Sequence, residues 1–430
     1  MALPRAFVLN HIAANSGNSK QLNLSTLAVV RSLARRGIPV TLVTTNESDA
    51  VIDSRWCRSV EYCPYLYDDE QSLVEFMQSL GATYPGTKVL IPAIDECAYF
   101  VGKYYSELEP HFQIPAPKWE AVRLVNNKRH QYELAESLGI AIPETYFPQS
   151  VEDVVALAAR ITNYPYVIKP NVSFEWKLAA MRSKAKGKKG IKVDSAKELI
   201  ARAEEIFVPG YDFMVQEVIG GRDERLVSFL SYFDQSAQPN SYFVRKKIRQ
   251  APVDFGYCTM TESCHNDVVV DQSTRLLNAL AFQGISGVEW KLDPVTETYK
   301  LIEINARAVN TTGCAIAAGV DLPAIAYFDA IDQPLEPVTD WQDGCRWAWL
   351  SMDFWAGRQL VGEGKLTTMA WLKDVSGIRA DAVFAWDDWL FSTNYYTRFF
   401  GSALSAKFKK LFVRRQKPVA ASAEVSGPEA

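Results

Sequence analysis

Glu289, Glu303 and Asn305 are the residues of this chain whose types and spacing most directly suggest chemistry. They lie in the stretch Gly287 to Arg307, GVEWKLDPVTETYKLIEINAR, which reads as two short strands joined by a turn. Alternation puts Glu303 and Asn305 on one strand face. A turn centred on Thr296 then sets Glu289 opposite Glu303. Two carboxylates and an amide oxygen, with no His or Cys among them, suit a hard divalent cation. Mg²⁺ is expected, with Mn²⁺ as the alternative, because it keeps several waters and shares its remaining positions with phosphates. The blander reading is an exposed hairpin with acidic residues on its wet face. Val288, Trp290, Leu292, Ile302 and Ile304 alternate with the polar set and argue instead for a covered cleft.

Several elements must position such a cluster. A strand at Ala6 to Asn10, a helix at Ser25 to Arg36 closed by Gly37, and a strand at Ile38 to Thr44 make a βαβ beginning. A strand at Lys88 to Pro92 and a helix at Glu96 to Leu108 extend it into a small doubly wound α/β unit. Its Gly17 turn is a weak phosphate signal. From Trp119 onward a helix at Ala121 to Leu138, a helix at Val151 to Ile161 and a strand at Tyr166 to Lys169, stopped by Pro170, imply a second α/β module. Strands at Phe213 to Val218, Leu226 to Phe233 and Ser241 to Lys247, a helix at Asp271 to Phe282 and the acidic hairpin suggest an α+β module. The expected boundaries are 1–117, 118–213, 214–333 and a Trp-rich extension with a basic tail at 334–430.

Lys177, Arg182, Lys184, Lys186, Lys188, Lys189 and Lys192 crowd one segment with no acidic residue among them. Such a run is ordinarily a solvated, mobile loop. The functional readings are a flap over polyphosphate or, less well supported, a nucleic-acid contact, for which aromatic interleaving is sparse. Near the end, Phe399, Leu404, Phe408 and Leu411 with Lys407, Lys409, Lys410, Arg414 and Arg415 could form a basic amphipathic helix that makes weak peripheral contact with a membrane. Packing on the protein is the blander outcome, and the last fifteen or so residues read as disordered.

The 430 residues carry a net charge of -4 and 48% hydrophobic residues, enough for two or three domains and without overall attraction for nucleic acid. The seven cysteines show no CxxC pairing, which favours reduced thiols over zinc or disulfides. With no apolar run long enough for a span, the expected compartment is cytoplasmic, with the membrane-peripheral tail as a qualification. No Ser/His/Asp or Cys/His nucleophile system stands out.

Read in order, the lysine of NNKRHQ, the lysine ending YPYVIKP, the segment MVQEVIGGRDE and the GVEWKL…LIEINAR hairpin resemble the ATP-grasp superfamily. The layout is most similar to carboxylate-amine ligases such as D-aspartate ligase. That resemblance implies a small pre-ATP-grasp domain before a two-module ATP-grasp fold, with Mg-ATP held in the cleft. Lys128 and Lys169 would meet the nucleotide phosphates. Gln216, Glu217, Val218 and Ile219 would form the hinge at the adenine, and Glu224 would take the ribose hydroxyls. Glu289, Glu303 and Asn305 would hold the magnesium. Arg307, next on the same alternating face, would stabilise the transferred phosphoryl group or clamp a substrate carboxylate. Alternation in SYFVRKKIRQ groups Arg245, Lys247 and Arg249, and Arg249 is expected as a further anion contact, with a strand-end surface charge as its rival. The sequence departs from commoner members in lacking a glycine-rich phosphate loop; only Gly187 and Gly190 lie there.

The implied reaction is ligation of a small-molecule carboxylate and an amine through an acylphosphate. A kinase acting on a small-molecule acceptor stays open, as does a membrane-peripheral nucleotide-binding accessory protein of surface-polymer synthesis. A homodimer is among the expected assemblies.

Overall fold

The computed structural model describes residues 3–12, 20–172, 174–186, 188–253 and 256–401. The turn at Gly17, Gly187 and the basic tail from 402 onward lie outside the described residues. The chain divides into two units, Met1–Ala382 and Val383–Ala430.

In the first unit the strands are β1 (Arg5–Leu9), β2 (Val40–Thr44), β3 (Ser59–Tyr62), β4 (Lys88–Pro92), β5 (Thr145–Tyr146), β6 (Tyr166–Pro170), β7 (Ile191–Val193) and β8 (Phe213–Glu217). They continue with β9 (Leu226–Phe233), β10 (Pro239–Ala251), β11 (Tyr257–Ser263), β12 (Gly284–Leu292), β13 (Tyr299–Asn305), β14 (Arg346–Ala348) and β15 (Ile378–Asp381). They form three sheets: a parallel one ordered β3-β2-β1-β4, an antiparallel one ordered β5-β8-β6-β7, and a seven-stranded one ordered β13-β12-β9-β10-β11-β14-β15. The mixed α/β class expected from the periodicities is what is seen.

The parallel sheet buries Phe7 and Leu9 on one face with Leu73, Met77, Cys97 and Phe100 from the helices Glu70–Thr83 and Asp95–Lys103. Its order reverses at β1, and the crevice beyond the strand ends there is where doubly wound sheets place ligands. Asp95 starts a helix just past β4 at that edge. The second sheet carries its own core of Val154, Leu157, Tyr166, Ile168, Leu199, Ala203 and Val215. That sheet includes β8, so strand pairing runs past the expected boundary at 213. Likewise β14 and β15 prolong the seven-stranded sheet beyond 334, because β14 pairs with β11.

The basic segment contains more structure than a mobile loop. A helix spans Ala179–Ala185, and Trp176, Met181 and Ala185 are buried in the second core. All seven cysteines are free thiols.

Candidate functional site

β12 and β13 pair antiparallel with Glu289 directly opposite Glu303, as the turn predicted, and a β-bulge follows Glu289. Val288 and Trp290 are fully buried, while the two carboxylate side chains keep 28% and 30% exposure. The donors therefore stand in a partly covered cleft.

β13 is an edge strand, and an edge leaves backbone groups that need partners. The helix Lys128–Ser137 supplies them: Gln131 Oε1 accepts from the Ile304 N–H at 2.9 Å and Tyr132 Oη donates to the Ile302 carbonyl at 2.8 Å. This docking fixes Lys128, the helix's first residue, whose Nζ lies 2.8 Å from Glu303 Oε1. The helix begins there because the Asn127 side chain caps the Arg129 N–H, so the single helix expected over Ala121 to Leu138 is two. The Lys128 N–H also donates to the Asn171 carbonyl at 2.9 Å, tying this helix to the end of β6.

Lys169, on β6, donates to Gln216 Oε1 at 3.1 Å. Burial and the nearby Lys128 charge bring its ammonium down to about 8, against the pull of Glu303 and Glu289. Burial alone would push the Glu303 carboxyl up, but Lys128, Lys189 and Lys169 together hold it near about 2, so it is ionised at neutral pH. Two lysines thus converge on one carboxylate. Lys291, on β12, adds charge near Lys169 and was not singled out by sequence.

The segment expected as a hinge is held largely by its own chain. Buried Gln216 spans Lys169, Tyr132 Oη at 2.9 Å and Thr145 Oγ1 at 3.0 Å, so it orients Lys169. Glu217 accepts from the Glu144 N–H and pairs with Lys300, which also meets Asp293 at 2.9 Å. The N–H groups of Glu217 and Val218 donate to the carbonyls of Glu144 and Pro165. Ile219 is buried just beyond, and Glu224 is exposed in the turn before β9.

Arg307 donates to both Asp95 oxygens, at 2.8 and 2.7 Å, and to Asn305 Oδ1 at 3.2 Å. The Asn305 oxygen is therefore shared with a cation in this arrangement. Two carboxylates and an amide oxygen fit Mg²⁺, whose remaining positions would go to waters and phosphates. Among the described residues no cluster of three or more His, Cys, Asp or Glu makes a metal cage of its own.

For Arg249 the placement differs from expectation. A register shift follows Lys247 on β10, so the alternation that grouped Arg245, Lys247 and Arg249 does not continue. The Arg249 guanidinium instead forks onto Asp353, at 3.0 Å for each of two bonds, and also meets Asp374. Asp353 is fully buried and needs that counter-charge, so Arg249 serves as an internal ion-pair partner. The arginine beside the carboxylates is Arg245, with Nη2 3.8 Å from Glu289 Oε1 and only 2% exposure.

Of the loop cations, Lys189 reaches the site: its ammonium sits 3.4 Å over the Tyr257 ring and acts on Glu303. Lys186 pairs with Glu205, Lys192 with Asp194, and Lys184 donates to the Phe207 carbonyl. Gly190 brings this segment close to β6; a Cβ there would meet Val167 at 2.9 Å and Lys169 at 3.3 Å.

This fold and site define a class: the chain carries the ATP-grasp fold, and the resemblance read from the motifs is borne out. By sequence it is similar to a D-aspartate ligase from Enterococcus faecium (strain Aus0004), 21% identical over 299 residues, spanning 66% of this chain and 69% of that protein. An L-amino acid ligase from Bacillus licheniformis superposes with a TM-score of 0.58 at 15% identity, covering 78% of this chain and 76% of the other. The biotin carboxylase domain dimer of Hydrogenobacter thermophilus 2-oxoglutarate carboxylase, solved with MgADP, ADP and bicarbonate, gives 0.59 at 14% identity, covering 80% and 74%. No family model matches the chain. The expectation of an enzyme of the ligase class is borne out by these relatives.

Proposed function

We propose that this protein is an ATP-dependent carboxylate-amine ligase. A substrate carboxylate oxygen attacks the γ-phosphorus of ATP, ADP leaves, and the amine nitrogen attacks the resulting acylphosphate, losing a proton as phosphate departs. The observation that carries this reading is the pairing of Glu289 with Glu303 across one ladder, with Lys128 held 2.8 Å from Glu303. The similarity to a D-aspartate ligase and the likeness to an L-amino acid ligase support an amino acid as one substrate.

In this reading residues 1–117 form the pre-ATP-grasp domain, and the second sheet and the seven-stranded sheet are the two grasp modules. Glu289, Glu303 and Asn305 would hold the magnesium, which would offset the charge of the nucleotide's phosphates. Lys128 and Lys169 bind phosphate oxygens as compact point charges, with Gln216 aiming Lys169. Ile219 and the hinge carbonyls meet the adenine edge, and Glu224 takes the ribose. With its Nε–Nη2 fork held by Asp95, Arg307 meets the reacting carboxylate or phosphoryl oxygens through its positive charge, and Arg245 takes over the anion-contact role first expected of Arg249. The segment from 175 to 190, carrying Lys189, closes over the phosphates and keeps water from the acylphosphate.

The test is to incubate the protein with Mg-ATP, candidate amino acids and hydroxylamine. Acyl hydroxamate formed in step with ADP is expected. ADP release with no trapped acyl product across a broad panel of carboxylates would overturn the ligase reading.

A further inference from the structure

The second unit carries a surface that the ligase reading does not use. Its described part is a 3₁₀ turn, Trp386–Asp388, running into a helix over 389–401. Buried Ser392 fastens the two: its Oγ donates to the carbonyls of Val383 at 3.1 Å and Asp388 at 2.9 Å and accepts from the Ala385 N–H at 3.1 Å. With Phe391 and Val383 buried, the opposite side is fixed outward. That side exposes Trp386 by 85%, Trp389 by 54%, Leu390 by 60% and Phe400 by 41%. Trp389 and Leu390 lie three and four residues after Trp386, so both neighbour it on one side. Large apolar groups grouped in this way mark an interaction site, whereas single ones do not.

The charge pattern selects the partner. From Trp389 to Ala423 the sequence holds seven cations (Arg398, Lys407, Lys409, Lys410, Arg414, Arg415 and Lys417) and no carboxylate, although the whole chain is net acidic. An anionic surface would therefore attract this end and repel the rest. Leu404, Phe408 and Leu411 recur among those cations at spacings of four and three.

We propose that this end of the chain docks the protein onto an anionic lipid bilayer, with Trp386, Trp389, Leu390 and Phe400 entering the headgroup boundary and the net positive charge of the sequence from 389 onward favouring anionic lipid. Tryptophan favours that boundary because its ring is apolar and its N–H polar, and lysine and arginine can bury their stems while keeping their charge wet. Nucleic acid fits less well: the exposed apolar set precedes the lysines in sequence and includes the aliphatic Leu390, which offers no stacking face. No helix among the described residues is long and apolar enough to cross a membrane, so the contact is with the surface.

The experiment is co-sedimentation of the full chain with phosphatidylcholine vesicles, with and without phosphatidylglycerol, at low and high salt. Binding about tenfold stronger to the anionic vesicles and lost at high salt is expected. Trp386→Ser/Trp389→Ser/Leu390→Ser and, separately, Lys407→Glu/Lys409→Glu/Lys410→Glu should each lower it about tenfold, with ATP turnover in solution unchanged. Equal binding to neutral vesicles, no binding at all, or binding that both variants retain would overturn the proposal. So would variants that lose only RNA binding or only self-association.

Discussion

Arg307 and Asp95 are joined fork to fork, Nε to Oδ1 at 2.8 Å and Nη2 to Oδ2 at 2.7 Å, across 212 residues of sequence. The pair links the end of β13 to the helix beginning at Asp95, beside the crevice of the parallel sheet. A planar guanidinium held this way is aimed in advance, and lysine cannot reproduce the fork. Arg307→Ala should lower kcat for ADP release by roughly 10²–10³-fold, the range found when one preorganised donor is removed. Arg307→Lys should recover only part of the loss, and Asp95→Asn should act mainly on KM for the carboxylate substrate. Steady-state kinetics showing Arg307→Ala at wild-type rates would remove Arg307 from the reaction.

The carboxylates facing each other on β12 and β13 make a prediction about metal. Because Glu303 is held near about 2, it is ionised at any ordinary assay pH, and Glu303→Gln deletes a full charge. Titration of ATP turnover with Mg²⁺ should show the half-saturating concentration raised by at least about 10–100-fold in Glu303→Gln, since even outer-shell changes cost that much. Glu289→Gln should shift in the same direction. An unchanged titration in both variants would place the metal elsewhere.

Loop cations that look equivalent in sequence should behave differently. Lys189 bears on Glu303, whereas Lys186 is spent on Glu205. Lys189→Ala should raise KM for ATP about tenfold, corresponding to roughly 1.4 kcal/mol. Lys186→Ala should leave it within about twofold, since an exposed pair contributes little. Equal effects from the two would mean that the loop works only through its summed charge.

Arg249 should matter for stability. Asp353 is fully buried and accepts from Arg249, from Thr259 at 2.9 Å and from Trp371 at 3.0 Å. Arg249→Met strands that carboxylate, which should cost about 3–5 kcal/mol in urea unfolding. Adding Asp353→Asn should return part of it, because the uncompensated charge goes. Wild-type stability together with lost turnover in Arg249→Met would restore a catalytic role.

The sequence made the acidic hairpin legible because strand alternation has a period of two and a short turn fixes register, so Glu289 and Glu303 could be paired without any other element. Lys128 and Lys169 were legible through their motifs, but not their convergence, which depends on the helix break at Asn127 and the backbone bond from Lys128 to Asn171. Arg249 was misplaced because a β-bulge breaks the alternation on β10, and nothing local in VRKKIRQ announces a bulge. The Asp95–Arg307 pair was out of reach for any periodicity argument, since its two ends lie on separate sheets' connections. Trp176, Met181 and Ala185 did carry a signal, apolar residues within the basic run, that the weight of charge concealed.

Glu175 supplies a pH test separate from the Glu289–Glu303 pair. Burial, with a smaller contribution from Asp212, raises its carboxyl from 4.5 to about 7. The folded state therefore holds a proton that the unfolded chain releases near 4.5, so this group costs stability increasingly as pH rises from about 4.5 to about 7. Below 4.5 both states are protonated and the effect vanishes. Glu175→Gln, which mimics the protonated form, should match the wild type in acid and exceed it in thermal midpoint at pH 7 and above. Thermal midpoints that run parallel for the two proteins across that range would show that Glu175 titrates like an exposed carboxylate.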